Sequence, residues 1–255
     1  MLTLFFSIVF ILGLITGSFL NCLIWRLYRR ESLRGRSYCP HCRRAIAWYD
    51  NIPVLSFFIL RGRCRSCRQN ISWQYPLVEL ATAILFVLTC RLELANPQLA
   101  LALSRDWLLV IALLVVFVYD LRWQLIPLDF LAPAGVAVFL LNLLLGAPLL
   151  LLLTCAALGA AFFLVQYILT GRRGVGEGDI WLGAFLGLAF PAISRLFLIM
   201  VASYTLGASI SLILLVSRRK QWQSRIALGP FLAAGAIITL IWGEAIIAWY
   251  WRLLS

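Results

Sequence analysis

Apolar runs close to the ~20 residues that cross the hydrocarbon core of a bilayer recur from one end of this chain to the other. A chain with that pattern is a helical integral membrane protein. Composition agrees: of 255 residues 63% are hydrophobic and 13% charged, where a soluble domain is nearer half apolar and a quarter charged. The first run, Met1 to Leu27, lacks a basic leading segment and a small-residue cleavage site, and its basic residues follow it. It therefore reads as a retained span and not as a signal peptide.

The runs place spans near 3–25, 77–95, 101–119, 130–147, 149–169, 180–193, 196–216 and 228–251. Glu79, Arg105 and Asp106 interrupt the second and third, and the sixth ends at Pro191. The apolar stretch from Leu143 to Thr154 is split at Gly146-Ala147-Pro148, a turn signal. The expected fold is all-α: a polytopic bundle of about eight transmembrane helices with a small zinc-binding loop. Its segments are a first helix at 1–25, a four-cysteine domain at 26–76 and a membrane bundle at 77–255.

With eight spans, the connections 26–76, 120–129, 170–179 and 217–227 hold 18 of the 22 Lys and Arg residues. The positive-inside rule puts them in the cytosol and both termini outside. A net charge of +12 invites a nucleic-acid reading. Here most of the charge flanks membrane boundaries, where it serves topology against anionic lipid, so no nucleic-acid partner is expected.

The long connection carries Cys39-Pro-His-Cys42, then 21 residues, then Cys64-Arg-Ser-Cys67. Two such pairs can bring Cys39, Cys42, Cys64 and Cys67 to one tetrahedral zinc. Eleven Arg in the same segment suit the negative charge of a zinc–thiolate centre. Two disulfides are the plain alternative, disfavoured in a reducing cytosol, and no βαβ pattern supports a redox pair. Four thiolates leave no open position, which marks a structural site. His41 reads as a bystander, and Cys22, Cys90 and Cys155 as packing residues.

Ten acidic residues are few enough to weigh singly. Glu79, Asp120, Asp129, Glu177 and Asp179 fall near the cytosolic face, and ionisable groups at membrane depth carry a functional prior. Asp129 fits a helix cap for the span opening at Phe130. Asp179 could cap its own span, but it follows Gly174-Val-Gly176-Glu-Gly178, where glycines permit close approach and unusual dihedrals. Topology delivers Asp120 and Asp179 to one membrane face. Two carboxylates that share a site resist simultaneous ionisation. The charged one can take a proton from water while its protonated neighbour polarises a carbonyl, as in aspartic proteases.

Gly17-Ser-Phe-Leu-Asn21, Trp48-Tyr-Asp-Asn-Ile-Pro53, Arg61-Gly-Arg-Cys64, Tyr75-Pro-Leu-Val-Glu79, Gly176-Glu-Gly178-Asp179 and Gly229-Pro-Phe231 together resemble the prepilin peptidases, or type IV leader peptidases, over nearly the whole chain. The resemblance implies a bacterial inner-membrane aspartyl endopeptidase with Asp120 and Asp179 in the catalytic positions. Its substrates would be type IV prepilins or type II secretion pseudopilins, cut after a glycine at the cytosolic boundary. Many members then methylate the new N-terminus with S-adenosylmethionine, for which the sequence carries no recognisable binding loop. Pro127-Leu128-Asp129 departs from the family's habit of an acid or amide directly after the proline, and leaves Asp129 without an implied role. A basic face does not attract a basic leader, so anionic headgroups or Glu79, Asp129 and Glu177 are expected to do so. A proton-coupled small-molecule transporter is the rival class; it calls for internal repeats and midplane acids, and the sequence offers neither.

Overall fold

The computed structural model describes residues 2–90, 97–172, 174–217 and 227–254. The end of the expected span 77–95, Arg173 in the connection 170–179 and most of the connection 217–227 lie outside the described residues. Among those described are nine α-helices: α1 (Leu2–Arg29), α2 (Leu55–Ile59), α3 (Gln74–Leu88), α4 (Pro97–Trp123), α5 (Leu128–Leu144), α6 (Leu149–Leu169), α7 (Glu177–Ala189), α8 (Ile193–Val216) and α9 (Gly229–Leu254). Except for the short α2, each stands on an expected span. The break before α6 occurs where Gly146 takes a φ of +85° and Pro148 precedes the first helical turn.

Five helices, α1, α4, α6, α8 and α9, are long and apolar enough to cross a membrane. α3 and α5 are shorter apolar helices. α7 has 13 residues, or roughly 20 Å at 1.5 Å per residue, against a hydrocarbon core of ~30 Å.

The chain divides into two compact units, 1–90 and 91–255. In the first, α3, drawn with the later bundle on sequence grounds, packs along α1. Gly13 and Gly17 make this possible: a Cβ on Gly13 would stand 2.5 Å from Ala83 Cα, and one on Gly17 2.6 Å from Glu79 Cα. Glycines four apart let two helix backbones meet. Asn21 of α1 then donates to the Tyr75 carbonyl and accepts from Gln74, at 3.1 and 3.2 Å.

The second unit is a bundle of α4 to α9 around Leu109, Leu113, Val116, Val138, Leu182, Leu186 and Ile199. Small residues again set the closest approach. Gly159 and Gly183 face each other across α6 and α7, and a Cβ on Gly187 would collide with the Cys155 carbonyl. A buried polar network ties the ends of three helices. Arg105 of α4 holds Asp106 at 2.6 Å and donates to Asn142 of α5 at 3.2 Å, while Asn142 donates to the Leu188 carbonyl of α7 at 2.7 Å.

This packing predicts that Gly187→Val overpacks the α6–α7 contact and lowers stability by about 1–3 kcal/mol. Unfolding of the purified variant in detergent, followed by circular dichroism, measures the loss.

Candidate active site and metal centre

The end of α4 and the start of α7 meet at a glycine. Gly178, one residue before Asp179, faces Ile126 just beyond α4; a Cβ there would lie 2.7 Å from Ile126 Cγ1 and 2.8 Å from its Cβ. The glycines before Asp179 thus act through proximity. None of Gly174, Gly176 and Gly178 has a positive φ, and the left-handed residues nearby are Gly171 and Arg172.

Asp120 stands in the last turn of α4 and Asp179 in the first turn of α7; both are buried. The Gly178–Ile126 contact brings the two helix ends that carry them together. Each is oriented by one backbone amide. Gly229, at the start of α9, donates to Asp120 Oδ2 at 2.8 Å, and Gly176 donates to Asp179 Oδ2 at 2.9 Å. Asp179 returns its own amide to the Gly176 carbonyl at 3.1 Å, so it closes the N-terminus of α7 reciprocally. Among the described residues neither Oδ1 accepts a hydrogen bond from protein, which leaves one oxygen of each acid for water or substrate. Gly229 also makes room for Asp120, since a Cβ on it would approach Oδ2 to 2.6 Å.

Two further side chains join this end of the bundle. Tyr204 of α8, within reach of the Asp179 charge, donates its hydroxyl to Gln166 of α6 at 2.7 Å. Sequence reasoning passed over both, because a lone polar residue in an apolar helix does not reveal which neighbour it will face. The resemblance had noted Gly229 without a role; a Gly-Pro pair opening a helix is the signal that could have drawn it to the site.

The other acids part from expectation. Asp129 is the second residue of α5 and not its cap; Pro127 takes that place and no side-chain cap bond forms. Asp129 and Glu177 are exposed. Glu79 is buried and accepts the Val54 amide at 2.7 Å, with Ser18 as a second donor. Val54 sits at φ 61° and ψ −51°, closed by a Leu55 amide to Pro53 carbonyl bond of 2.5 Å, a γ-turn that a β-branched residue rarely adopts. Glu79 therefore holds the loop in place and offers no surface charge to a basic leader.

In the first unit Cys39, Cys42, Cys64 and Cys67 converge, their Sγ atoms all within 4.8 Å of one another. The Cys39–Cys67 separation is 3.8 Å, the edge of a tetrahedron with metal–sulfur bonds of ~2.3 Å. All seven cysteines are free thiols. The two pairs share one local design. The Arg43 amide donates to the Cys39 carbonyl and the Arg68 amide to the Cys64 carbonyl, both at 2.9 Å. Cys39 and Cys64 in turn donate to the Arg44 and Gln69 carbonyls. Isolated bridges, Tyr38 to Ala45 and Arg63 to Asn70, close each turn. Arg43 and Arg68 take φ of 56° and 60°, where glycine would be unstrained. Hydrogen bonding from the Cys67 amide leads in pulling the Cys64 thiol down to about 7, while, against the Gln69 amide, burial and the neighbouring sulfurs push Cys67 up to about 11; without a metal the four thiols share little negative charge. The cluster could hold a metal ion, and His41 stays outside it.

Arginines brace the loop. Arg26 donates to the carbonyls of Ser32, Arg34, Gly35 and Arg36 at 2.8 to 3.2 Å. Arg65 grips Asp50 through two bonds of 2.8 and 2.6 Å.

Comparison with known proteins identifies the family. Residues 11–92 match the bacterial peptidase A24 N-terminal domain, and residues 107–212 match the type IV leader peptidase family. The chain is 35% identical to a prepilin leader peptidase/N-methyltransferase of Aeromonas hydrophila, across 97% of this chain and 94% of that protein. It is 31% identical to one of Legionella pneumophila, across 96% and 94%. With one of Pectobacterium carotovorum subsp. carotovorum it shares 35% identity, across 92% of each. No solved structure matches. A membrane chain with this acid pair and four-cysteine cluster, and with relatives over nearly its full length, belongs to the type IV leader peptidase family.

Proposed function

We propose that this protein is an aspartyl endopeptidase of the bacterial inner membrane that removes the basic leader from type IV prepilins or type II secretion pseudopilins. One observation carries the reading: two buried carboxylates, Asp120 and Asp179, stand at one end of the bundle, where Gly178 at the start of α7 packs on Ile126 just after α4. Each keeps an oxygen uncommitted. One acid, ionised, takes a proton from water as the water oxygen attacks the carbonyl of the glycine at the cut. The other, protonated, donates to that carbonyl oxygen. Collapse of the tetrahedral adduct breaks the C–N bond, the amine takes a proton, and a new carboxyl and a free N-terminus result.

The substrate fits the setting. A prepilin N-terminal segment is an apolar helix whose backbone bonds are satisfied within lipid. Glycine at the cut weakens that helix by ~1 kcal/mol relative to alanine. The brevity of α7 suits the chemistry too, because a helix shorter than the hydrocarbon core lets Asp179 sit at or below the boundary. The basic connections support a cytosolic position for the acids and the cysteine loop.

Zinc is the metal we assign to the four cysteines, as a structural ion that fixes the loop. The relatives' names carry a second activity, N-methylation, and we extend it to this chain with S-adenosylmethionine as methyl donor. No residue is assigned to that donor. The groove lined by Phe6, Phe10, Ile11 and Val87 is apolar and offers a sulfonium nucleoside no polar partner apart from Ser7. Nothing in the fold or the relatives supports the transporter.

Co-expression with a candidate prepilin tests the peptidase reading. The expected product lacks the leader by gel shift and begins after the glycine by mass; an unprocessed substrate beside well-expressed enzyme contradicts it. Metal analysis of purified protein is expected to give about one zinc per chain. Cys64→Ser should lower that content and open the loop to protease while the bundle at 91–255 stays assembled; full zinc retention would contradict the assignment.

A further inference from the structure

The loop between α1 and α3 exposes an apolar surface that neither the metal centre nor the acid pair explains. α2 has the sequence Leu55-Ser-Phe-Phe-Ile59, and only Phe57 turns inward. Its ring packs at a tilt against Trp73, 4.8 Å between centroids, and lies under Gly62, where a Cβ would approach it to 3.3 Å. With Phe57 pinned, helical geometry turns Leu55, Phe58 and Ile59 outward. Phe58 is 59% exposed, Ile59 64% and Trp73 61%. Phe58 also touches Trp73, at 6.4 Å between rings, and Leu77 stands exposed one turn into α3. The result is one apolar strip, Leu55–Phe58–Ile59–Trp73, beside the exposed Leu77 of α3.

The depth of this strip is fixed from within the unit. Trp73 immediately precedes α3, and the next residues, Gln74 and Tyr75, are hydrogen-bonded to Asn21 of α1. α1 is long and apolar enough to span a membrane. The turns after Asn21 bring Trp25, Tyr28 and Arg29, the mixture of Trp, Tyr and Arg that marks a membrane–water boundary. The strip is therefore level with the basic end of α1. A water-facing patch of this kind at that height has no solvent reason to persist. Arg61 and Arg63 follow α2 directly, a charge pattern suited to lipid phosphate.

We propose that α2 is an interfacial anchor: Leu55, Phe58 and Ile59, with Trp73, insert into the headgroup–acyl boundary of the bilayer and hold the cysteine loop down against the membrane. The occupant is lipid, in the manner of a short amphipathic segment lying in the interface.

Photo-crosslinking tests this on the full protein in nanodiscs that contain phosphatidylglycerol. p-Benzoylphenylalanine is placed at position 58 or 59, with position 77 as lipid-facing reference and exposed His41 as a position off the strip. Mass spectrometry is expected to find phospholipid adducts at 58 and 59 comparable in yield to 77 and several-fold above 41. Crosslinks from 58 and 59 to residues 91–255 would overturn the proposal, since the strip would then be covered by this chain. Absence of lipid adducts at 58 and 59 while 77 reacts would overturn it too, because the strip would face water.

Discussion

The space of a single missing methyl group lets this bundle hold two carboxylates together. At Gly178 the segment leaving α4 lies where a side chain would have to be, with Ile126 only 2.7 Å from the position of a Cβ. Any larger residue would push the start of α7 away from the end of α4, and Asp179 away from Asp120. Gly229 repeats the device from α9, yielding both the room and the amide that Asp120 uses. Burying an acid without a donor costs several kcal/mol. Two backbone amides from glycines meet that need while leaving each acid a free oxygen. Side-chain donors or cations in the same places would interfere with the proton sharing that the proposed mechanism requires.

Positions at one end of a bundle depend on what is fixed at the other. Asp120 follows Asp106 along α4 by about 21 Å of helix. Near Asp106, Arg105, Asn142 and the Leu188 carbonyl join α4, α5 and α7. Polar bonds between helices are worth only ~0.6 to 2 kcal/mol each in a membrane, yet they are directional where apolar contacts are not. The network sets the register of the two acid-bearing helices, and the close α6–α7 contact at Gly159, Gly183 and Gly187 then determines how near α7 can lie.

Features that depend on local pattern could be read from the sequence: eight of the nine helices, the break at Gly146 to Pro148, the convergence of four cysteines, and the delivery of both aspartates to one end. Features that depend on distant partners could not. The pairing of α3 with α1 rests on Gly13 and Gly17 meeting Ala83 and Glu79, which no period in either helix announces. Asp129 was read as a cap because it precedes an apolar run, but the helix begins at Leu128, two residues before the expected start at Phe130. Glu79 was read as an acid near the cytosolic face able to attract a basic leader, and it is instead buried and engaged by the Val54 turn that folds back onto it. Tyr204 and Gln166 meet only because α8 lies beside α6 at the level of Asp179. The left-handed turns at Arg43 and Arg68 were invisible because arginine gives no warning of them.

The central claim is that Asp120 and Asp179 act as one water-activating pair, and conservative substitution tests it most directly. Purified Asp120→Asn and Asp179→Asn proteins, each with unchanged expression and zinc content, are assayed for leader cleavage beside Asp129→Asn. Asparagine keeps the shape and the amide contact but cannot ionise or hold the shared proton. The account predicts that both pair variants fall to background while Asp129→Asn, exposed and outside the pair, keeps near-normal activity. Normal cleavage by either Asp120→Asn or Asp179→Asn would contradict it.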